Sequence, residues 1–154
     1  MEVFEILAPD RIFDALKLPS KKKTLLELAE RAADITGLPQ RTIFDILQER
    51  ERLGTTGVGR GIAIPHGKFP ELDGIYGLFV RLDSPINFDS VDNEPVDLIF
   101  LLLAPEAAGA EHLKALARVS RLLRSGAMCE KLRTAENAKE MWNLFSSGAA
   151  SHAT

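Results

Sequence analysis

The sequence predicts a single α/β domain in which helices pack around a small mixed β-sheet. Apolar residues recur at helical spacing in the first and last thirds of the chain, whereas the middle third changes to strand spacing. A chain of 154 residues suits one hydrophobic core, and no internal repeat or long linker divides it. We therefore expect one domain over residues 1–146, followed by a flexible C-terminal tail over 147–154.

Two helices are predicted in the first third. The first carries an apolar stripe over residues 25–35, and Ser20 or Thr24 is its candidate N-cap. The second runs from about residue 39 to residue 53, because it opens on a proline, which suits a first turn, and Gly54 follows its last apolar residue.

The middle third predicts strands. A glycine-rich connection over 57–61 leads into a short strand over 62–64, which Pro65 stops. A second strand covers 76–82, where large apolar residues alternate. The run 98–103 is apolar on both faces, so we expect a central strand that is covered on both sides. Turns are expected at Pro85 and at the Asp92-Asn93 pair, which lie between these last two strands.

The last third is predicted to be helical again. One helix begins near Glu111, and a final helix carries the apolar residues of 141–145 with Thr134 as its N-cap. Cys129 is expected in a helix as a buried or half-buried residue without a redox role.

Charge and composition exclude several classes of function. The net charge of −3 argues against a nucleic-acid-binding protein. The three histidines are scattered and no Cys-x-x-Cys pair occurs, so neither a metal nor a cofactor is expected. A single cysteine fits a reducing compartment. No signal peptide or membrane-spanning run is visible, and we expect a cytoplasmic protein.

The densest motif is Gly57-Val-Gly-Arg-Gly-Ile-Ala-Ile-Pro-His-Gly-Lys68. It presents His66 between a proline and a glycine, on what we expect to be a constrained, open turn. A neutral histidine is a competent nucleophile near pH 7. An ordinary surface loop explains the same residues. The glycines do not form a phosphate-binding P-loop, and no hydrolytic triad is visible.

Three other side chains would suit phosphoryl chemistry. His112 lies at the expected N-terminus of a helix, where backbone N–H groups favour an anion. Arg50, near the end of the second helix, could bind phosphate oxygens, and Arg60 is a weaker candidate. Each also has a plain structural interpretation: a half-exposed histidine at a helix start, or an arginine paired with a neighbouring glutamate.

Three segments of the chain carry a resemblance to a known family. Residues 50–68 resemble the active-site signature of phosphotransferase-system IIA domains of the fructose/mannitol type. Residues 84–100, Ser-Pro-Ile-Asn-Phe-Asp-Ser-Val-Asp-Asn-Glu-Pro-Val-Asp-Leu-Ile-Phe, are similar to the nitrogen-regulatory branch of that family. Residues 112–117, His-Leu-Lys-Ala-Leu-Ala, match its later histidine-containing segment. The similarity covers roughly residues 7–145.

The resemblance implies a fold and a set of site residues. The fold is a mixed sheet of about five strands flanked by helices. His66 would carry a phosphoryl group, and His112 would lie beside it and help to hold the phosphate. Arg50 corresponds to the basic active-site residue of the family, although Arg52 is close enough to take that place.

The resemblance also implies partners. An HPr-like phosphocarrier would donate the phosphoryl group, and proteins regulated by the phosphorylation state would receive the signal. Two alternatives stay open. One is a sugar-specific IIA component that passes phosphate to a IIB domain, and the other is a non-catalytic binding module of the same fold.

Overall fold

Helices cover both faces of a six-stranded sheet in the computed structural model, which describes residues 2–147. Two 3₁₀ turns, Pro9–Arg11 and Glu106–Ala108, join neighbouring elements. The helices are α1 (Val3–Ile6), α2 (Lys21–Thr36), α3 (Gln40–Leu53), α4 (Ala110–Arg124), α5 (Gly126–Thr134) and α6 (Ala138–Ser146). The strands are β1 (Ile12–Leu16), β2 (Gly57–Gly59), β3 (Ile62–Ala63), β4 (His66–Phe69), β5 (Tyr76–Ile86) and β6 (Val96–Pro105).

The sheet is mixed, as predicted, and β6 lies at its centre. The strand order is β1-β5-β6-β3-β2, with β4 also paired to β6. β5 runs antiparallel to β6, whereas β3 and β4 both run parallel to it. β3 and β4 pair with successive parts of the same edge of β6, and Pro65 separates them. The six strands therefore occupy five positions across the sheet, in agreement with the expected number.

Strand β6 confirms the prediction of a central strand covered on both faces. Leu98, Phe100 and Leu102 pack into the core under α1, α4, α5 and α6. Ile99 and Leu101 point the other way, into the core under α2 and α3. All five side chains have no exposed surface. Side chains that alternate between the two faces of this buried strand thus join two cores into a three-layer α/β/α domain.

The structure shows which residues cap the helices for which the sequence offered N-cap candidates. Ser20 caps α2, since its hydroxyl accepts a hydrogen bond from the backbone N–H of Lys23 at 3.2 Å. Thr24 lies within the helix, where its buried hydroxyl donates to the Ser20 carbonyl at 2.8 Å. The prediction that Thr134 caps the last helix is wrong. Asn137 does so, accepting from the Glu140 N–H at 3.0 Å, because Thr134 still belongs to α5.

Other differences concern short or irregular elements. The prediction did not include α1, β1 or β4, and it treated the segment of β2 as a loop. Pro85 was expected in a turn but lies within β5. The β5–β6 register shifts between Arg81 and Ile86, so a residue without an N–H group is tolerated there. Cys129 is buried in α5, as expected. Of the predicted tail, only Ser147 falls within the described residues.

Candidate functional site

His66 opens β4 rather than lying on a turn. It pairs with Leu102 of β6, directly after Pro65 interrupts the edge of the sheet. The glycine that follows allows close packing, because a Cβ on Gly67 would lie 2.8 Å from the side chain of Ile46 in α3. The expectation that His66 lies on an open turn is therefore wrong. The sheet holds His66 rigidly, and Gly67 lets α3 approach the strand.

Hydrogen bonds determine which nitrogen of His66 can react. Nδ1 lies 2.9 Å from the carbonyl oxygen of Ile64. Because a carbonyl oxygen only accepts, Nδ1 carries the proton and Nε2 carries the lone pair. Nε2 accepts a hydrogen bond from Nε–H of Arg50 at 3.2 Å. The backbone thus selects the tautomer whose basic nitrogen faces the arginine.

The surroundings of His66 lower its pKa. Burial of the ring is the largest cause, and the positive charge of Arg50 acts in the same direction. The hydrogen bond to the Ile64 carbonyl and the carboxylate of Glu51 raise the pKa and partly oppose this. The neutral ring, which is the nucleophilic form, is therefore favoured at pH 7.

Arg50 rather than Arg52 reaches His66. Arg50 lies in the last turn of α3, and its Nη1 also donates to the carbonyl of Gly54 at 2.9 Å. Arg52, two residues on, points away and pairs with Glu49 on the exposed helix surface. The two acceptors of Arg50 are uncharged, so its positive charge is not neutralised by these contacts.

His112 lies beside His66 and belongs to α4, which covers the face of the sheet opposite to α3 and Arg50. It is the third residue of α4, is only 4% exposed, and its ring centroid lies 5.9 Å from that of His66. Its Nδ1 has no hydrogen-bond partner within residues 2–147. Burial lowers the pKa of His112, as do the charges of His66 and Lys68. The half-exposed interpretation of this histidine is wrong.

Two further residues belong to this neighbourhood and were not predicted. Lys68 is exposed, two positions after His66 on β4, and side chains two positions apart share a face of a strand. The strand alternation that places residues 66 and 68 on one face is the sequence signal that could have identified Lys68. Glu51 follows Arg50, and its side chain is 5% exposed. It pairs with Nζ of Lys21 at 3.0 Å and accepts from the backbone N–H and the hydroxyl of Thr56.

Arg60 is not part of the site. Its Nη2 donates to the carbonyl of Arg124, the last residue of α4, at 2.8 Å. His112 lies at the other end of that helix, roughly 18 Å away at 1.5 Å per residue. Arg60 therefore contacts the end of α4 opposite to the two histidines.

The arrangement suits an anion that is bound covalently to Nε2 of His66. Arg50 supplies a fixed guanidinium on one side, and the buried His112 ring and the N–H groups at the start of α4 lie on the other. Within residues 2–147 no group of three histidine, cysteine or carboxylate side chains could hold a metal ion. None of the helices described there has the length and hydrophobicity needed to traverse a bilayer.

The chain is similar in sequence to a known protein family. Residues 5–148 match the family model described as phosphoenolpyruvate-dependent sugar phosphotransferase system, EIIA 2. The nitrogen regulatory protein of Bradyrhizobium diazoefficiens is 54% identical over 145 residues, which cover 94% of this chain and 95% of the relative. That of Escherichia coli is 42% identical over 128 residues, covering 82% of this chain and 78% of the relative.

A solved structure shows the same fold. The crystal structure of nitrogen regulatory protein IIA-Ntr from Neisseria meningitidis superimposes with a TM-score of 0.89 at 35% identity. The match covers 94% of this chain and 99% of that one.

Proposed function

This chain belongs to the EIIA 2 family of the phosphoenolpyruvate-dependent sugar phosphotransferase system, and on that ground we propose that it is a phosphocarrier of the nitrogen-regulatory branch. It accepts a phosphoryl group on Nε2 of His66 and acts on partner proteins according to its phosphorylation state. The observation that carries the proposal is the His66 ring, with Nδ1–H bound to a backbone carbonyl and Nε2 directed at Arg50.

The donor is an HPr-like carrier with its own phosphohistidine. The Nε2 lone pair of His66 attacks phosphorus in line, and the P–N bond of the donor breaks with its electron pair returning to the donor ring. The Ile64 carbonyl stabilises the positive charge that develops on the His66 ring, since it accepts from Nδ1–H. Positioning and charge stabilisation are the tasks of the protein, because little energy separates two phosphohistidines.

Arg50 and His112 have distinct tasks in this proposal. Arg50 donates to the nucleophilic nitrogen before transfer and to a phosphoryl oxygen after it. His112 stabilises the bound phosphoryl group from the side opposite to Arg50. Its Nδ1, which has no partner within residues 2–147, is available for a new hydrogen bond once the phosphoryl group is bound. The charge of Lys68 lies close enough to lower the pKa of His112, and it adds a second positive charge, besides that of Arg50, near the phosphate.

The test is a mass measurement after incubation with the phosphorylated carrier. We expect the wild-type protein to gain one phosphoryl group that is lost in acid, and His66→Ala to gain none. An adduct that survives His66→Ala, or no adduct on the wild-type protein, would refute the proposal. The second result would favour the non-catalytic binding module.

The family takes its name from a sugar phosphotransferase system, which favours a second candidate function in sugar transport. In it, His66 passes its phosphoryl group to a cysteine of a IIB domain. Incubating the phosphorylated protein with IIB domains and following the label distinguishes the two: rapid transfer to a cysteine favours sugar transport, and retention on His66 favours regulation. In either case we place the protein in the cytoplasm with its donor.

A further inference from the structure

A groove with an arginine-rich rim lies beside the His66 site. It is formed between the β2–β3 hairpin and α4 and has a volume of about 390 Å³. Ile62 and Ile64 contribute to its apolar floor, and the exposed Arg60, Arg121 and Arg124 line it as well. Ile64 also belongs to the active site, because its carbonyl holds Nδ1 of His66. The groove and the proposed phosphorylation site therefore share Ile64, while the arginines lie toward the other end of α4.

The guanidiniums of this rim lack carboxylate partners among the described residues, although Asp92 accepts from the backbone N–H of Arg60 at 2.9 Å. None of the guanidiniums of Arg60, Arg121 and Arg124 forms an ion pair with a carboxylate of residues 2–147. Elsewhere on the same side of the sheet, Arg81 and Arg133 are both paired with aspartates. Three like charges around one groove repel each other, and a bound anion would relieve that repulsion.

The backbone places Arg60 in this position at a conformational cost. Its φ is 57°, which is unusual for a residue with a Cβ, and Gly59 and Gly61 on either side also have positive φ. The turn holds the Arg60 side chain against the carbonyl of Arg124. Val58, before the turn, lines the groove and is 53% exposed. Cations and an accessible apolar side chain thus share one concave surface.

We propose that this groove binds an acidic segment of a regulated protein, with carboxylates on the arginine rim and an apolar side chain on the floor. Charge complementarity selects the occupant, since carboxylates pair with guanidinium groups in two-point contacts. The assignment to a regulated protein rests on the proposed function, whereas the binding of acidic peptide does not.

The experiment uses a labelled synthetic peptide of alternating glutamate and leucine, and an otherwise identical peptide with glutamine. Fluorescence anisotropy with the wild-type chain is expected to show saturable binding of the glutamate peptide that weakens with salt. Arg121→Glu/Arg124→Glu should lower the affinity about tenfold or more. The matched control replaces Arg41, an exposed residue of α3 on the other side of the sheet, and Lys22 by glutamate. It changes the net charge equally and should leave binding unchanged.

Several outcomes would overturn the proposal. They are no saturable binding of the glutamate peptide, equal binding of the glutamine peptide, or an equal loss in the Arg41→Glu/Lys22→Glu control. Tighter binding of an oligonucleotide of the same net charge would assign the groove to nucleic acid instead. The carrier should still phosphorylate Arg121→Glu/Arg124→Glu at the wild-type rate. If that rate falls with peptide binding, the groove serves the donor, and the proposal of a regulated partner fails while His66 phosphorylation stands.

Discussion

Arg50 and Arg81 are both partly buried and both make contacts distant in sequence, but their acceptors differ in charge. Arg81 bonds both carboxylate oxygens of Asp14, at 2.7 and 2.8 Å, and three carbonyls at the end of α5. Arg50 bonds Nε2 of His66 and the carbonyl of Gly54, which are both neutral. The charge of Arg81 is matched inside the fold, whereas the charge of Arg50 is left for a ligand.

This contrast separates residues that stabilise the fold from residues that serve the site. A charge with a carboxylate partner contributes to folding, and its loss leaves that partner buried and alone. A charge held by neutral acceptors contributes less to folding but acts strongly on an incoming anion. The following substitutions test whether stability and phosphorylation can be separated in this way.

Replacing Arg81 should have the largest effect on stability. Arg81→Met leaves the Asp14 carboxylate and the carbonyls at the end of α5 without their donor, and we expect a loss of about 3 kcal/mol in the free energy of unfolding. Urea denaturation measures it. Below its unfolding transition the variant should still be phosphorylated at the wild-type rate. Arg41→Met, which breaks an exposed pair, should change stability by under about 0.5 kcal/mol.

Replacing Arg50 should impair phosphorylation but leave stability nearly unchanged. Arg50→Met is expected to slow phosphorylation of His66 about a hundredfold, because the transferring phosphoryl group loses its fixed guanidinium. Its midpoint in urea should stay close to that of the wild-type protein. Arg52→Met is the matched control and should be phosphorylated normally. Equal rates for the two variants would contradict the assignment of Arg50.

His112 should have an intermediate effect. His112→Asn keeps a polar side chain at the start of α4 but removes the imidazole next to His66. We expect roughly tenfold slower phosphorylation and faster loss of the phosphoryl group, since one stabilising contact is missing. Rates are followed by mass spectrometry, with circular dichroism to show that the fold is retained. Unchanged kinetics in a folded variant would refute this role.

The smallest expected effect is a shift in histidine titration. The pKa of His66 and that of His112 both lie below the usual 6.5, chiefly through burial, so both rings should be neutral at pH 7 in NMR titrations. Lys68→Met should raise the pKa of His112, because a nearby positive charge disfavours protonation. His112 of the variant is then protonated at a higher pH than His112 of the wild-type protein. A pKa of His112 that stays unchanged in the variant would show that Lys68 does not act on this ring.

Long periodic elements were predictable from the sequence, and short ones were not. The predicted apolar run at 98–103 lies within β6, and the predicted second helix agrees with α3 to within a residue. Strand β1 pairs in parallel with β5, more than sixty residues along the chain, and contains Ala15 at a φ of 58°. No local pattern encodes such a pairing. The prediction of Thr134 as a cap failed because a helix as short as α5 gives little periodic signal.

The sequence by itself determined the α/β class, the central strand, the motif that contains His66 and the resemblance to the family. These features depend on spacing within one segment, which a sequence displays directly. Tertiary structure alone decided which atoms meet. It brought Arg50 to His66 across one face of the sheet and His112 across the other. It also left the charge of Arg50 facing neutral acceptors, because long-range packing, rather than local pattern, determines which partner each charged side chain finds.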